Sequence, residues 1–598
     1  MKILQNDGNV IECPKEEELE VIRHSAAHIM AQAVKRLYPD AQFAFGPATE
    51  KGFYYDIDPG DAKITDEDVS RIEDEMRKIV KENLPFKTFE LPRAEAIKLM
   101  EDRGETYKVE HIGDFPEGTR ITFFQQGEYI DMCTGPHITY TKALKAFKLT
   151  ALSGAYWRAD QNNKMLTRLN GTAFATKDEL AEFEKQQEEA LKRDHRKIGR
   201  QMDIFTFKDV AAGFPFMLPN GMTIRDSLMK YWKELHRREG YQIIETPIMM
   251  DQSLWLKSGH WDHYKDNMYT SEIDGETLCV KPMNCPGAVL VYSDRPRSYR
   301  ELPLRMAEFG HVHRYEKSGQ LHGLMRVRCF HQDDAHIFVT MDQIEDEIKR
   351  IVGLIDEVYT KFGFEYFVEL STMPEDHMGS DEDWEKATSG LSNALSNMGI
   401  DYIINEGDGA FYGPKIDFHL KDCIGRTWQC GTVQLDFQMP QNFEISYVGE
   451  DGSEHTPVML HRVLFGSVER FLGILIEHFA GKFPVWIAPI QAKILPVSDK
   501  SNEYARSVYD KLFDAGIRVA IDERDEKIGY KIREAQQEQR IPYMLVLGQN
   551  EANDNTVTVR HRDTNKSTTM TVDEFTEAVL KQDKERCMEL SEFRENAD

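Results

Sequence analysis

A multidomain α+β chain, with a large antiparallel sheet in its middle and a compact α/β unit at its end, is what the sequence predicts. Three observations carry that prediction. The chain has 598 residues, more than one hydrophobic core usually organises. In the central block, strand-like runs are separated by long loops rather than by regular crossover helices, which favours antiparallel pairing over a doubly wound sheet. After Phe483 and Pro484 the style changes, and apolar runs at 492–495, 518–521 and 543–546 alternate with helical patterns at 501–515 and 527–539.

Taken in order, apolar residues at 21, 22, 26, 29, 30 and 34 predict a helix from about Glu18 to Leu37, stopped before Tyr38 and Pro39. Alternating runs at 52–57 and 119–124 then predict an α+β domain ending near 180. Residues 177–201, DELAEFEKQQEEALKRDHRKIGR at their centre, have no Pro and no Gly before Gly199. That text reads as one solvated connecting helix, acidic first and basic last, matching the helix dipole. A helix over 344–362 and a strand over 241–248 are expected in the central block.

Composition narrows the class. With 41% hydrophobic and 29% charged residues, wholesale disorder is unexpected. No stretch approaches about 18 uncharged apolar residues, and the start lacks the basic and apolar regions of a secretion signal, so a cytoplasmic protein away from membranes is expected. The 74 Lys and Arg against 102 Asp and Glu give −28, which repels phosphate backbones on average; a nucleic-acid partner must meet a local basic patch. The eight cysteines, at 13, 133, 279, 285, 329, 423, 430 and 587, form no dense framework and read as thiols in a reducing compartment.

Four constellations carry chemistry. His24 and His28 are four apart on the predicted helix and project from one face; alone they read as well as ordinary surface or core histidines. With Asp131, Cys133 and His137 in DMCTGPH they make a set suited to moving a proton or holding a metal. Arg314 and Glu316 in GHVHRYEKSG, followed by Arg326, Arg328 and Phe330, suit bidentate phosphate recognition and purine stacking, or else a bland basic loop. Arg470 follows Gly466 and Ser467 at the start of an apolar helix, a weak signal by itself. Cys285, His336 and His461 have zinc-ligand chemistry, but their separation in the chain signals nothing unaided.

The run YQIIETP at 241–247, the R-x-E of Arg314 and Glu316, and G-x-x-E-R at 466–470 resemble motifs 1, 2 and 3 of the class II aminoacyl-tRNA synthetases. With HSAAH, DMCTGPH, GAYWRADQNNKML, KPMNCPG and GSVERF in order, the chain resembles the threonyl-tRNA synthetase family from about residue 18 to about 580. The resemblance implies a short N-terminal remnant at 1–17, in place of the β-grasp domain most bacterial members carry. It further implies an α+β editing domain at 18–182, a linker helix at 183–201, a class II antiparallel-sheet catalytic domain at 202–482 and a C-terminal α/β anticodon-binding domain at 483–598.

The same resemblance implies site residues. Arg314 is expected at the ATP α-phosphate, Arg470 at the γ-phosphate, Phe330 against adenine, Glu316 near its amino group and Arg326 near the bent triphosphate, with Mg2+ bridging phosphates. Cys285, His336 and His461 fall at the ligand positions of one Zn2+ that binds threonine, and Met283, Gln332, Asp334, Tyr412, Lys415, Gln429 and Gln434 line that pocket. His24, His28, Lys108, Asp131, Cys133 and His137 match the editing pocket, to which no metal is assigned. Lys527, Arg540, Glu551 and Arg560 match anticodon contacts, whereas Asp525 stands where an Asn is common and, when ionised, accepts but cannot donate.

What the resemblance implies is ATP-dependent activation of L-threonine and its transfer to the 3′ end of tRNA(Thr), with hydrolytic editing of seryl-tRNA(Thr), by a homodimer. Editing follows from chemistry: serine keeps the hydroxyl and lacks one methyl, a difference worth only roughly 1–3 kcal/mol. The basic end of the linker helix is expected against the acceptor arm, or else as a solvated face. A synthetase-like RNA-binding protein without catalysis is disfavoured by the intact arginines and zinc ligands. A free-standing editing hydrolase is disfavoured by the whole central block.

Overall fold

The computed structural model describes all residues except Gln161, Cys423, Ile424 and 594–598, so the thiol expected at 423 lies outside the described residues; the other seven cysteines are free. The chain divides into two compact units, Met1–Glu188 and Glu189–Asp598.

In the first unit the helix Glu18–Leu37 forms where its apolar spacing places it, acidic in the first turn and basic in the last. Its buried face, including Val21, Ile22, Ile29, Met30 and Val34, shares one core with Phe53, Tyr55, Leu149 and Leu169. Those partners belong to the sheet of Ala146–Tyr156, Met165–Phe174, Gly52–Asp58 and Gln42–Phe43. Each fully buried aliphatic or aromatic side chain contributes about 1.5–3 kcal/mol of apolar burial. Residues 1–17 are integrated into this unit: Lys2–Leu4 pairs with Val10–Glu12 on one side and His137–Ile138 on the other, and Ile3 and Leu4 join the core.

The second unit contains an eight-stranded sheet in the order Gln242–Ile243, Leu304–His313, Cys329–Val339, Val458–Ser467, Thr427–Asp436, Lys415–Lys421, Glu365–Ser371, Tyr402–Asn405. Every neighbouring pair is antiparallel except the two outermost, which are parallel. The strand expected over 241–248 shrinks to Gln242–Ile243. Ile244 still donates its N–H to the Ala307 carbonyl, but Thr246 then turns its N–H and hydroxyl to the buried Glu308 carboxylate, at 2.9 and 3.0 Å, and Pro247 has no N–H to offer a ladder. Helices Pro219–Arg238 and Ile344–Phe362 bury Trp232, Ile348, Ile351 and Ile355 against Ala335, Ile337 and Leu460 of the sheet. Strand alternation leaves the opposite face for ligands.

The connecting helix expected over 177–201 is two helices, Lys177–Arg193 and His195–Gln201. Asp194 separates them, its carboxylate accepting the Arg196 N–H at 2.8 Å as an N-cap. The second piece is solvated on one face only: Arg196, Lys197 and Arg200 are exposed, whereas His195 and Ile198 are buried. His195 Nε2 accepts the Leu324 N–H at 3.0 Å while Nδ1 donates to Glu477 at 2.7 Å, so a tertiary contact overrides the charged text. The last block forms a five-stranded sheet, with Ala492–Pro496 between Val519–Ile521 and Tyr543–Leu547 in parallel and Thr556–His561 and Ser567–Thr571 following antiparallel. Among the described residues no helix is long and apolar enough to cross a membrane.

Candidate active site

A cavity of about 650 Å³ opens on the free face of the eight-stranded sheet. Its walls include every residue expected at the nucleotide, zinc and amino-acid positions: Met283, Cys285, Arg314, Glu316, Arg326, Phe330, Gln332, Asp334, His336, Tyr412, Lys415, Gln429, Gln434, His461 and Arg470. Strand register explains the convergence, since His336 pairs with His461 and Gln434 pairs with His461 across adjacent ladders, while Cys285 opens the helix Cys285–Tyr292.

One potential ligand atom from each of Cys285, His336 and His461 lies within 4.8 Å of the others, and all three residues are buried. Burial, with Asp334 and Asp436 adding to it, pushes the Cys285 thiol well above its ordinary range, and burial drives His336 well below its own, so the imidazole is a neutral lone-pair donor. His461 Nε2 donates to Asp436 Oδ2 at 2.8 Å, which leaves Nδ1 as the ring's lone pair. Asp436 Oδ1 in turn accepts the N–H groups of Gln438 and Met439 at 2.8 and 2.9 Å.

Three guanidinium groups surround the rest of the cavity. Arg470 donates to the carbonyls of Met325 and Gln429 at 3.0 and 3.1 Å, and its helix is capped by Ser467. Burial first, opposed by the pull of Cys430 and then reinforced by repulsion from Arg314 and Arg326, holds the Arg470 pKa below its usual value. Arg314 donates to the Pro282 carbonyl at 3.1 Å and lies 5.2 Å over the Phe330 ring; Arg326 pairs with Glu316 at 2.9 Å. Unbalanced positive charge facing an aromatic wall is an environment for a polyanion with a planar base. Sequence reasoning missed Asp417, a buried carboxylate that accepts from Gln429 at 2.6 Å, Thr432 at 2.9 Å, Ser371 at 3.0 Å and Lys415 at 2.8 Å. Its one local signal is its place two residues after Lys415, on the same strand face.

The first unit holds a second cavity, about 920 Å³, lined by His24, His28, Lys108, Asp131 and Cys133 among others. His137 is buried behind that wall. The potential ligand atoms of His24, His28, Cys133 and His137 lie within 4.8 Å of one another. Cys133 Sγ is 3.1 Å from His24 Nε2 and 3.3 Å from His137 Nε2. Ser25, another missed residue, gives its hydroxyl proton to the Val21 carbonyl at 2.8 Å and accepts the Ile138 N–H at 3.0 Å. His137 Nδ1, 3.2 Å away, must therefore donate to Ser25, which leaves Nε2 bare toward Cys133. Burial pushes the Cys133 thiol up to about 12 and His28 down to about 3, so thiol and imidazole are both neutral. Asp131, buried, is ion-paired with Lys108 at 2.8 Å and bonded to Tyr55.

The four residues expected at the anticodon lie on separate segments of the last block. Arg540 lines a cavity of about 420 Å³ beside Asn565, and Arg560 donates to Asn565 at 3.1 and 2.9 Å. Neither Lys527 nor Glu551 lines it; Glu551 accepts from Gly548 at 2.8 Å and Thr558 at 2.7 Å, and Lys527 stands immediately before the helix Ile528–Arg533.

Comparison with known families matches these modules in order. Residues 121–170 match the "Threonyl and Alanyl tRNA synthetase second additional domain", 269–479 the "tRNA synthetase class II core domain (G, H, P, S and T)" and 488–582 the "Anticodon binding domain". An antiparallel sheet presenting facing arginines from two of its ends, followed by that last module, is the architecture of a class II aminoacyl-tRNA synthetase. The threonine–tRNA ligase of Clostridium tetani is 59% identical over 92% of this chain and 85% of its own length, and that of Clostridioides difficile 56% over 96% and 90%. The chain belongs to the threonine–tRNA ligase family. Among solved structures, the RNA binding domain of threonyl-tRNA synthetase from Cryptosporidium parvum Iowa II is similar at a TM-score of 0.64 and 41% identity, covering 67% of this chain and 99% of that one.

Proposed function

We propose that this chain activates L-threonine with ATP to threonyl-adenylate, transfers it to the 3′ end of tRNA(Thr), and hydrolyses seryl-tRNA(Thr) formed in error. The observation that carries the reading is that Cys285, His336 and His461 converge in the same cavity as Arg314, Arg326 and Arg470. An amino-acid site and a polyphosphate site thus share one wall, as attack of a carboxylate on the α-phosphorus requires.

In that reading Arg314 takes the α-phosphate, Arg470 the γ-phosphate and Arg326 the bent chain. Their mutual repulsion is relieved by the nucleotide and Mg2+, and the charge spreading in the transition state meets donors already in place. Phe330 stacks the base once Arg314 moves from its ring to phosphate, and Glu316 accepts from the adenine amino group. Cys285, His336 and His461 would hold Zn2+, an N/S donor set open on the cavity side that suits a working rather than a structural ion. When bound, that ion supplies Lewis-acid binding of an amine and a neighbouring hydroxyl. Asp417 holds Gln429 and Lys415 in register, and Gln332, Asp334, Tyr412, Gln434 and Met283 close around the side chain. Valine has no hydroxyl to complete that recognition and is rejected, whereas serine passes.

Serine passing makes the second cavity necessary. Lys108 and Asp131 fix a charged pair there, and neutral His24, His28, Cys133 and His137 orient water and pass protons toward an ester. Two copies of the chain associate through the segment around 241–247, tRNA is read in part at Lys527, Arg540, Glu551 and Arg560, and the enzyme works in the cytoplasm. Threonine-dependent ATP–pyrophosphate exchange against threonine, valine and serine, with zinc per chain measured on the same sample, tests the reading. Exchange with threonine, weak exchange with serine, none with valine and loss of all exchange in Cys285→Ala are expected; full exchange in Cys285→Ala overturns it.

A further inference from the structure

A third N/S cluster sits on the other side of the catalytic sheet. The strands Leu304–His313 and Cys329–Val339 pair so that His311 faces His331 and His313 faces Cys329. Alternation puts these four side chains on the face opposite Gln332, Asp334 and His336. Potential ligand atoms of His311, His313 and Cys329 lie within 4.8 Å of one another, and His311 Nε2 is 2.7 Å from Cys329 Sγ. His313 Nδ1 is buried without a hydrogen-bond partner, a donor site left over by everything around it. The His331 ring stacks on His311 with centroids 4.3 Å apart and planes nearly parallel, and Glu469 fixes His331 through Nδ1 at 2.9 Å. A ligand ring held by a partner that is itself held is the support a metal centre needs.

We propose that His311, His313 and Cys329 form a second cation site that takes a zinc-class divalent ion on two imidazoles and one thiolate. Two nitrogens and a sulfur select a borderline or soft ion over Mg2+ or Ca2+. All three residues are partly exposed, so the ion has an entry path and water fills the remaining position. Binding releases the Cys329 thiol proton to solvent, and the new cation replaces it. The ion would clamp the two strand ends from which Arg314 and Phe330 continue on the opposite face, fixing the arginine and the aromatic wall to one another without touching substrate.

Wild type, Cys329→Ala and His311→Gln, each full length, are loaded with Zn2+, dialysed against metal-free buffer and analysed for zinc per chain. The wild type is expected to retain one equivalent more than either variant. The same difference is expected in a Cys285→Ala background, which separates this site from the one in the cavity. In Co2+-loaded protein the thiolate-to-cobalt absorption should drop when Cys329 is removed. Equal zinc in all three proteins, or a cobalt spectrum indifferent to Cys329→Ala, overturns the proposal. Circular dichroism qualifies each variant, and His311→Gln carries the comparison if the alanine variant does not fold.

Discussion

Asp436 Oδ2 lies 2.8 Å from His461 Nε2, and its other oxygen is saturated by two backbone N–H groups. The carboxylate is thereby locked in place and the imidazole is locked to it. Asp436→Asn keeps the shape but offers a weaker, ambiguous acceptor. Zinc retention is expected to fall about 10- to 100-fold, with threonine KM rising while ATP KM stays near wild type. Competition with a chelator followed by exchange kinetics measures both, and unchanged retention would show that Asp436 does not orient the ligand.

Arg470 spends two of its donors on carbonyls and so arrives at the cavity with its remaining face fixed. Arg470→Ala should lower exchange about 10²- to 10³-fold. Arg470→Lys should recover little, because a point charge cannot keep both carbonyl bonds and reach the ligand. Steady-state exchange with ATP varied reads the loss; a lysine variant at wild-type rate would contradict it.

The two cavities have separate linings, so under the proposed function editing and synthesis should separate genetically. His24→Ala with His28→Ala is expected to leave threonine exchange within about twofold, a surface-like change for the second unit, while seryl-tRNA(Thr) persists. Deacylation of pre-formed seryl-tRNA is the assay, and wild-type hydrolysis by the double variant would refute the assignment.

Acid should weaken the first unit before neutral pH is far behind. His28 falls from 6.5 to about 3 through burial, helped by His24 and Lys108 against the pull of Asp131; His137 is likewise held well below its ordinary value, again by burial first. A group whose folded pKa is depressed stays neutral in the native state while the unfolded chain takes up its proton. Stability is therefore full above about pH 6.5 and drains as pH falls toward 3, by up to about 1.4 kcal/mol per pH unit per histidine. Scanning calorimetry at pH 7, 5.5 and 4.5 should show a transition that drops with pH in wild type and less steeply in His28→Gln.

Local text made the helices Glu18–Leu37 and Ile344–Phe362 legible, because their apolar spacing is what packs them. Motif likeness placed the arginines and zinc-type ligands in one cavity, although nothing in the spacing of Cys285, His336 and His461 could do so. Asp417, Asp436 and Ser25 stayed hidden for a physical reason: each accepts at least one bond from a residue distant in the chain, Gln429 and Ser371 to Asp417, His461 to Asp436 and Ile138 to Ser25, so that part of its role exists only after the fold has closed. Lys177–Arg193 is the solvated helix its charged text predicts; only the piece from His195 misled, because burial of His195 against Glu477 depends on a partner far along the chain.

The strand Cys329–Val339 is written on both sides. Gln332, Asp334 and His336 point into the reaction cavity, while Cys329 and His331 serve the rear cluster and Ala335 and Ile337 the core. Sliding it by a single residue would exchange those audiences wholesale, so insertions or deletions there should be lethal to activity rather than merely costly. Anyone wishing to retrain this scaffold for another amino acid must leave that ribbon untouched and vary instead the loop at 408–412, which borders the same cavity.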